Sequence, residues 1–175
     1  MGTIGADIDY IITDQVASPI EYEDHYSEKF IYMPHSFIIN SFAYLEPEIM
    51  PPVLTPPDAP QKNGCGGKPA SFVFCNFNKQ LKFDPIVFRM WLETLQQTEN
   101  TVLCLQENPK ESIKYLTYFI KNFDKSLLDR VRYVPFDHNI GPFETKKRVE
   151  ETCNAVLDNF AYGAHTTAVE ALWAG

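Results

Sequence analysis

The sequence is short of what binds polyanions, spans membranes or ligates metals. Only fifteen of 175 residues are Lys or Arg, against twenty-three Asp or Glu, which leaves a formal charge of −8. Such a field repels nucleic-acid backbones and anionic lipid, and argues against both as partners. No run approaches the ~18 apolar residues of a membrane span, and Met1-Gly2-Thr3-Ile4-Gly5-Ala6-Asp7 contains no basic segment leading into an apolar one. A soluble, unsecreted protein of the cytoplasm and/or nucleus is expected. The four histidines, His25, His35, His138 and His165, lack metal-ligand spacing, so no metal is expected. The four cysteines lie too far apart for a zinc knuckle or a Cys-x-x-Cys pair. Cys75, Cys104 and Cys153 sit in apolar runs and read as free, buried thiols of a reducing compartment, with Cys65 exposed. The dinucleotide fingerprint, the P-loop and the Gly-x-Ser-x-Gly elbow are all missing.

What is present is core material. Hydrophobic residues make up 45% of the chain and aromatics 14%, which excludes general disorder and suits one domain or slightly more. Tyr10–Thr13 reads as a buried strand ending at Asp14. Ser18 and Pro19 then predict a helix start, with the helix running to about Lys29 before Phe30-Ile31-Tyr32 extends again. Between Pro47 and Pro69 lie seven of the thirteen prolines and three of the eight glycines, a composition that sustains neither helix nor central strand. Residues 47–69 are therefore expected to be a linker between a segment 1–46 and a segment 70–175.

The second segment alternates regularly. Strands are expected at Ala70–Cys75, Thr101–Leu105, Val131–Val134 and Ala155–Leu157. Helices are expected from Asp84-Pro85 to about Gln97, after Pro109, over about Phe143–Thr152, and over about Thr166–Ala174. Phe88, Trp91, Leu92 and Leu95 share one helix face; Ile113, Leu116, Ile120 and Phe123 share another. Each connection is too long for a hairpin, so the segment reads as α/β, a Rossmann-like parallel sheet with covering helices. The chain stops at Ala171-Leu172-Trp173-Ala174-Gly175, where such a domain ordinarily adds another strand, and so reads as a piece of something longer.

Ligands of open α/β sheets bind beyond the carboxyl ends of the strands. The loop Asn76-Phe77-Asn78-Lys79-Gln80-Leu81-Lys82 concentrates two lysines and three amides, donors suited to phosphate, base and sugar. A polar loop with solvated lysines has the same composition. The turn Gly163-Ala164-His165-Thr166-Thr167 brings backbone close and ends in a helix start, where unpaired N–H groups and the helix dipole favour an anion. His165 adds a side-chain donor. Asp137-His138 in the third loop and the run Lys146-Lys147-Arg148 read first as solvated surface.

Taken together these residues resemble the catalytic region of nucleocytoplasmic protein O-GlcNAc transferases and the related Spindly-type protein O-fucosyltransferases. The resemblance rests on Gly2-Thr3-Ile4-Gly5, Asp9-Tyr10-Ile11-Ile12-Thr13-Asp14-Gln15, Tyr26-Ser27-Glu28-Lys29 and Met33-Pro34-His35-Ser36-Phe37. It resumes at Cys75-Asn76-Phe77-Asn78 with Lys82, and closes with His165-Thr166-Thr167 and Leu172-Trp173-Ala174-Gly175. It implies a partial GT-B glycosyltransferase, in which 1–46 is a remnant of the N-terminal catalytic lobe. Residues 70–175 would be a UDP-sugar-binding Rossmann-like lobe, truncated at its C-terminus, with tetratricopeptide repeats in a missing upstream part. The activity implied is inverting transfer of N-acetylglucosamine from UDP-GlcNAc to Ser or Thr of nuclear and cytoplasmic proteins, with no cofactor and no metal. Lys82 takes the family's catalytic position, against the nucleotide diphosphate. Asn78, Lys79, His165, Thr166, Thr167 and Glu170 take nucleotide-sugar-binding positions. Departures are Lys79 where the family has glutamine, with Gln80 displaced by one, and Glu170 for an aspartate at the ribose. Lys146 and Arg148 stand in the neighbourhood of the family's basic residues on the preceding helix. Two other readings fit the same pattern: a non-catalytic nucleotide-binding or scaffold fragment, and an O-fucosyltransferase using GDP-fucose.

Overall fold

A computed structural model describes residues 7–45, 65–137 and 139–175. The chain divides into two units, Met1–Pro47 and Glu48–Gly175. Of the expected linker, residues 47–64 lie outside the described residues.

In the first unit, β1 (Tyr10–Thr13) pairs in parallel with β2 (Lys29–Tyr32), and Ile12 stands opposite Ile31. The α-helix expected between them is only a short 3-10 helix, Ile20–His25. No side chain caps it: the N-cap position is Pro19, the Ser18 hydroxyl accepts from Thr13 Oγ1 at 2.8 Å, and no residue of the helix is buried. Without a cap or an apolar face to pack, six residues do not sustain a full helix. Asp14, at the end of β1, accepts from the Phe37, Ala17 and Val16 amides at 2.8–2.9 Å, bonds that hold its carboxyl below the usual aspartate range. A four-residue helix α1 (Phe42–Leu45) follows.

The second unit carries the alternation read from the sequence. Its elements are β3 (Phe72–Asn76), α2 (Pro85–Gln97), β4 (Thr101–Glu107), α3 (Ile113–Asp124), β5 (Val131–Pro135), α4 (Pro142–Thr152), β6 (Ala155–Val156) and α5 (Thr166–Ala174). The four strands form one parallel sheet in the order β5-β4-β3-β6. Asp84 starts α2 by accepting from the Ile86 and Val87 amides at 2.8 and 2.9 Å, and Pro85 occupies the first turn, where a missing N–H costs nothing.

Side chains alternate across the sheet and sort into two cores. Phe74, Leu103, Leu105, Val131 and Tyr133 pack with Phe88, Trp91, Leu92 and Leu95 of α2 and with Leu116, Ile120 and Phe123 of α3. Val73, Cys75, Val102, Cys104 and Val156 pack with Val149 of α4, Cys153 and Ala174 of α5. Helices thus cover both faces, as a parallel sheet requires.

The cysteines correct one expectation. Cys75, Cys104 and Cys153 are buried, but Cys75 pairs with Cys153, and Cys65 stands against Cys104. Cys75 and Cys104 are neighbours in register on one face of the sheet, and the loop carrying Cys65 and the end of α4 bring the partners over them. Separations of 39 and 78 residues hide that juxtaposition in the sequence. Gly66 and Gly67, which follow Cys65, have positive φ, and a Cβ on Gly67 would stand 3.2 Å from the Arg132 guanidinium, which donates to the Gly66 carbonyl at 2.7 Å.

Candidate functional site

The strand order sets the site. From β3 the chain winds outward through β4 to β5, then returns to lay β6 on the other side of β3. Next to such a reversal the loops leaving adjacent strands diverge to opposite faces and open a crevice at the carboxyl end of the sheet. Here those loops are 77–84 and 157–165.

Asn76, the last residue of β3, is fully buried and joins the two loops. Its Nδ2 donates to the Leu157 carbonyl and to Asn159 Oδ1, both at 3.0 Å, and its Oδ1 accepts from the Asn78 amide at 3.0 Å. Asn159 Nδ2 in turn donates to the Tyr162 carbonyl at 3.4 Å. Asp158 closes the second loop, its Oδ1 accepting from the Asn159 and Ala164 amides at 2.7 Å.

Lys82, half-buried in a 3-10 turn (Gln80–Lys82), reaches across the crevice. Its Nζ contacts Asn78 Oδ1 at 3.4 Å and the Gly163 carbonyl at 3.5 Å, and lies 4.5 Å from the Tyr162 ring centroid. These partners are all neutral, and among the described residues no carboxylate pairs with it. Asn78 is only 2% exposed, yet its Nδ2 has no acceptor among the described residues. A buried amide without a partner is a donor left over for something else.

The second loop feeds α5. His165 occupies the N-cap position, and its carbonyl accepts from the Ala168 and Val169 amides at 3.1 Å. Thr166, exposed, and Thr167, half-buried, are the first two residues of the helix, and their amides precede its first intrahelical hydrogen bond. The His165 ring meets Tyr162 edge-on, with centroids 5.5 Å apart. Glu170 lies one turn further along, half-buried, and burial raises its carboxyl above the usual glutamate value.

The residues expected at the site are therefore divided. Asn78, Lys82 and His165 meet through Tyr162 and Gly163, with Thr166 and Thr167 at the adjoining helix start and Glu170 on the same helix. Lys79 stands apart: it is exposed and takes no part in these contacts among the described residues. Gln80 turns inward, its Nε2 donating to the Gln106 carbonyl at 2.8 Å and its Oε1 accepting from the Ser112 hydroxyl, so it anchors the loop. Lys146 pairs with Glu150 at 3.0 Å and lies over Trp173, while Lys147 faces Glu151 at 3.8 Å. His138 lies outside the described residues. Sequence reasoning assigned no role to Asn159 or Tyr162. An asparagine directly after an aspartate at a strand end, followed by an aromatic beside a glycine, was the available signal.

Among the described residues no cluster of three His, Cys, Asp or Glu side chains could hold a metal ion, and no helix is long and apolar enough to cross a membrane.

Known proteins match most of the chain. The model of glycosyl transferase family 41 matches residues 1–63 and 62–175. The chain is 28% identical over 176 residues to a probable UDP-N-acetylglucosamine–peptide N-acetylglucosaminyltransferase of Arabidopsis thaliana, covering 99% of this chain and 17% of that protein. Over 105 residues it is 29% identical to a UDP-N-acetylglucosamine–peptide N-acetylglucosaminyltransferase of Caenorhabditis elegans, covering 60% of this chain and 9% of that one. Its fold is similar to that of a Thermobaculum terrenum O-GlcNAc transferase mutant, with a TM-score of 0.66 and 21% identity, over 94% of this chain and 28% of the other. The chain thus spans less than a fifth of the length of these curated relatives.

Proposed function

The chain belongs to glycosyl transferase family 41, and on that premise we propose that residues 70–175 bind the diphosphate of a nucleotide sugar for transfer to protein hydroxyl groups. The donor is UDP-GlcNAc and the acceptors are Ser and Thr side chains, the chemistry named for the Arabidopsis and nematode relatives being peptide N-acetylglucosaminyl transfer from UDP-N-acetylglucosamine. Residues 1–46 contribute a remnant of the other catalytic lobe.

The observation that carries the reading is the meeting of an ammonium with no carboxylate partner among the described residues and a helix N-terminus beside one crevice. In a chain of charge −8, such a site is the place an anion can enter. As the bond from the anomeric carbon to the diphosphate oxygen breaks, negative charge grows on the β-phosphate. Lys82, the amides of Thr166 and Thr167, and His165 are held in advance where that charge develops, so they stabilise it without rearranging. The acceptor hydroxyl attacks the opposite face of the anomeric carbon as UDP departs with the bonding electron pair, and its proton passes to solvent, leaving the sugar inverted. Asn78 Nδ2 supplies a buried donor to the nucleotide, and Glu170 faces its ribose. No metal or cofactor enters the scheme.

Titration calorimetry with UDP tests it. Lys82→Met removes a charge-assisted contact of about 1.5–3 kcal/mol and weakens UDP about 10- to 100-fold, with the circular dichroism spectrum unchanged. The same substitution abolishes sugar transfer in a chain carrying both lobes. A Lys82→Met protein that binds UDP like the parent overturns the assignment.

A further inference from the structure

We propose that Tyr162 is a positioning residue for Lys82: its ring holds the ammonium in the crevice without neutralising it. The inference rests on the diphosphate reading above. The ring is shared by both sides of the site, lying 4.5 Å from Lys82 Nζ and edge-on to His165 at 5.5 Å. Its own backbone is tied to the core through Asn159 and then Asn76, which is 0% exposed. The charge of Lys82 is thus located by a chain of neutral contacts that begins in β3.

The choice of an aromatic face has a chemical consequence. A carboxylate at this distance would fix the lysine and cancel its charge, so an arriving diphosphate would have to displace it. A π face attracts the cation through its quadrupole and leaves most of the charge to act on a ligand. The two hydrogen-bond partners, Asn78 Oδ1 and Gly163 O, are long at 3.4 and 3.5 Å, and are readily given up when a phosphate oxygen arrives. Tyr162 accordingly limits the conformations of a long flexible side chain before the ligand binds, which lowers the entropy lost on binding.

Two measurements on the intact chain test this. In the free protein the Lys82 ε-methylene protons resonate upfield from the ring current of Tyr162; Tyr162→Leu removes the shift and Tyr162→Phe keeps it. Against UDP, Tyr162→Leu weakens binding about three- to tenfold, Tyr162→Phe leaves it within about twofold, and Tyr162→Leu adds nothing once Lys82→Met is present. An equal loss with and without Lys82 would show a merely structural ring and overturn the proposal, as would a wild-type Lys82 resonance at its ordinary position. The wild-type resonance needs no variant, so a Leu substitution that unfolds the loop does not protect the claim. A wild-type chain with the upfield resonance but no binding at millimolar UDP overturns the nucleotide reading and leaves Tyr162 as the group that places the ammonium.

Discussion

The loops leaving β3 and β6 face one crevice but are held by different means. The first is rooted in the core: Asn76, Asn78 and Gln80 are all buried, and Gln80 bonds to the Gln106 and Asn108 carbonyls through its side chain and amide. The second follows a strand of two residues, carries Phe160 at 77% exposure, and leads into a helix with no fully buried residue. It borrows order from its neighbour, through the Asn76 bonds to Leu157 and Asn159, and from Asp158 within the loop. One side is a fixed platform and the other a segment of low local stability, the combination expected where a ligand enters between them.

Asn76→Ala breaks the contrast hardest. It leaves buried groups without partners on both loops, at about 1–3 kcal/mol for each orphaned group, so a loss of about 3 kcal/mol in chemical denaturation is expected. Retained stability would mean that the two loops are ordered independently. Asn159→Ala acts on one side only. It removes the link to Tyr162 while Asn76 Nδ2 keeps the Leu157 carbonyl, so the cost is about 1 kcal/mol. Amide exchange should quicken across 158–165 and stay unchanged in β3; faster exchange in both would erase the distinction between platform and segment.

The same contrast separates what the sequence discloses from what it hides. Elements with an apolar period and a marked start are legible: α2 begins at Asp84-Pro85 and buries Phe88, Trp91, Leu92 and Leu95, all expected on one face. The crevice-lining loops are legible as loops, because Lys, Asn, Gly and Thr cluster after two strands. Their internal order is not, since it depends on contacts across 81 and 83 residues of chain. Lys79 and Lys82 carry the same chemistry in the sequence, and only the 3-10 turn between them decides that one faces solvent and the other the crevice. Ser18-Pro19 shows the converse error: a helix-start pattern yields only a 3-10 turn where no side chain caps the segment and none of its residues is buried. The cysteines were legible as buried and not as paired, because pairing is a property of the folded sheet face.

Glu170 provides the finest test of the platform and segment distinction, because its carboxyl reports how closely α5 packs. Burial raises its folded-state pKa above the unfolded value, so the folded form holds the proton more tightly. Stability therefore falls as pH climbs from the unfolded value toward the folded one, and the penalty of the buried charge is complete above that. Below about pH 4 both states are protonated and the penalty is absent. Glu170→Gln should accordingly raise the thermal midpoint slightly at neutral pH, and the gain should disappear in acid. Because the residue is half exposed, solvent screening keeps the effect below those of Asn76 and Asn159. A gain that persists at low pH would trace to helix propensity or a new amide hydrogen bond. A gain absent at every pH would mean that α5 opens far enough in solution to hydrate the carboxylate, and the adaptable half of the crevice would then begin at the helix itself.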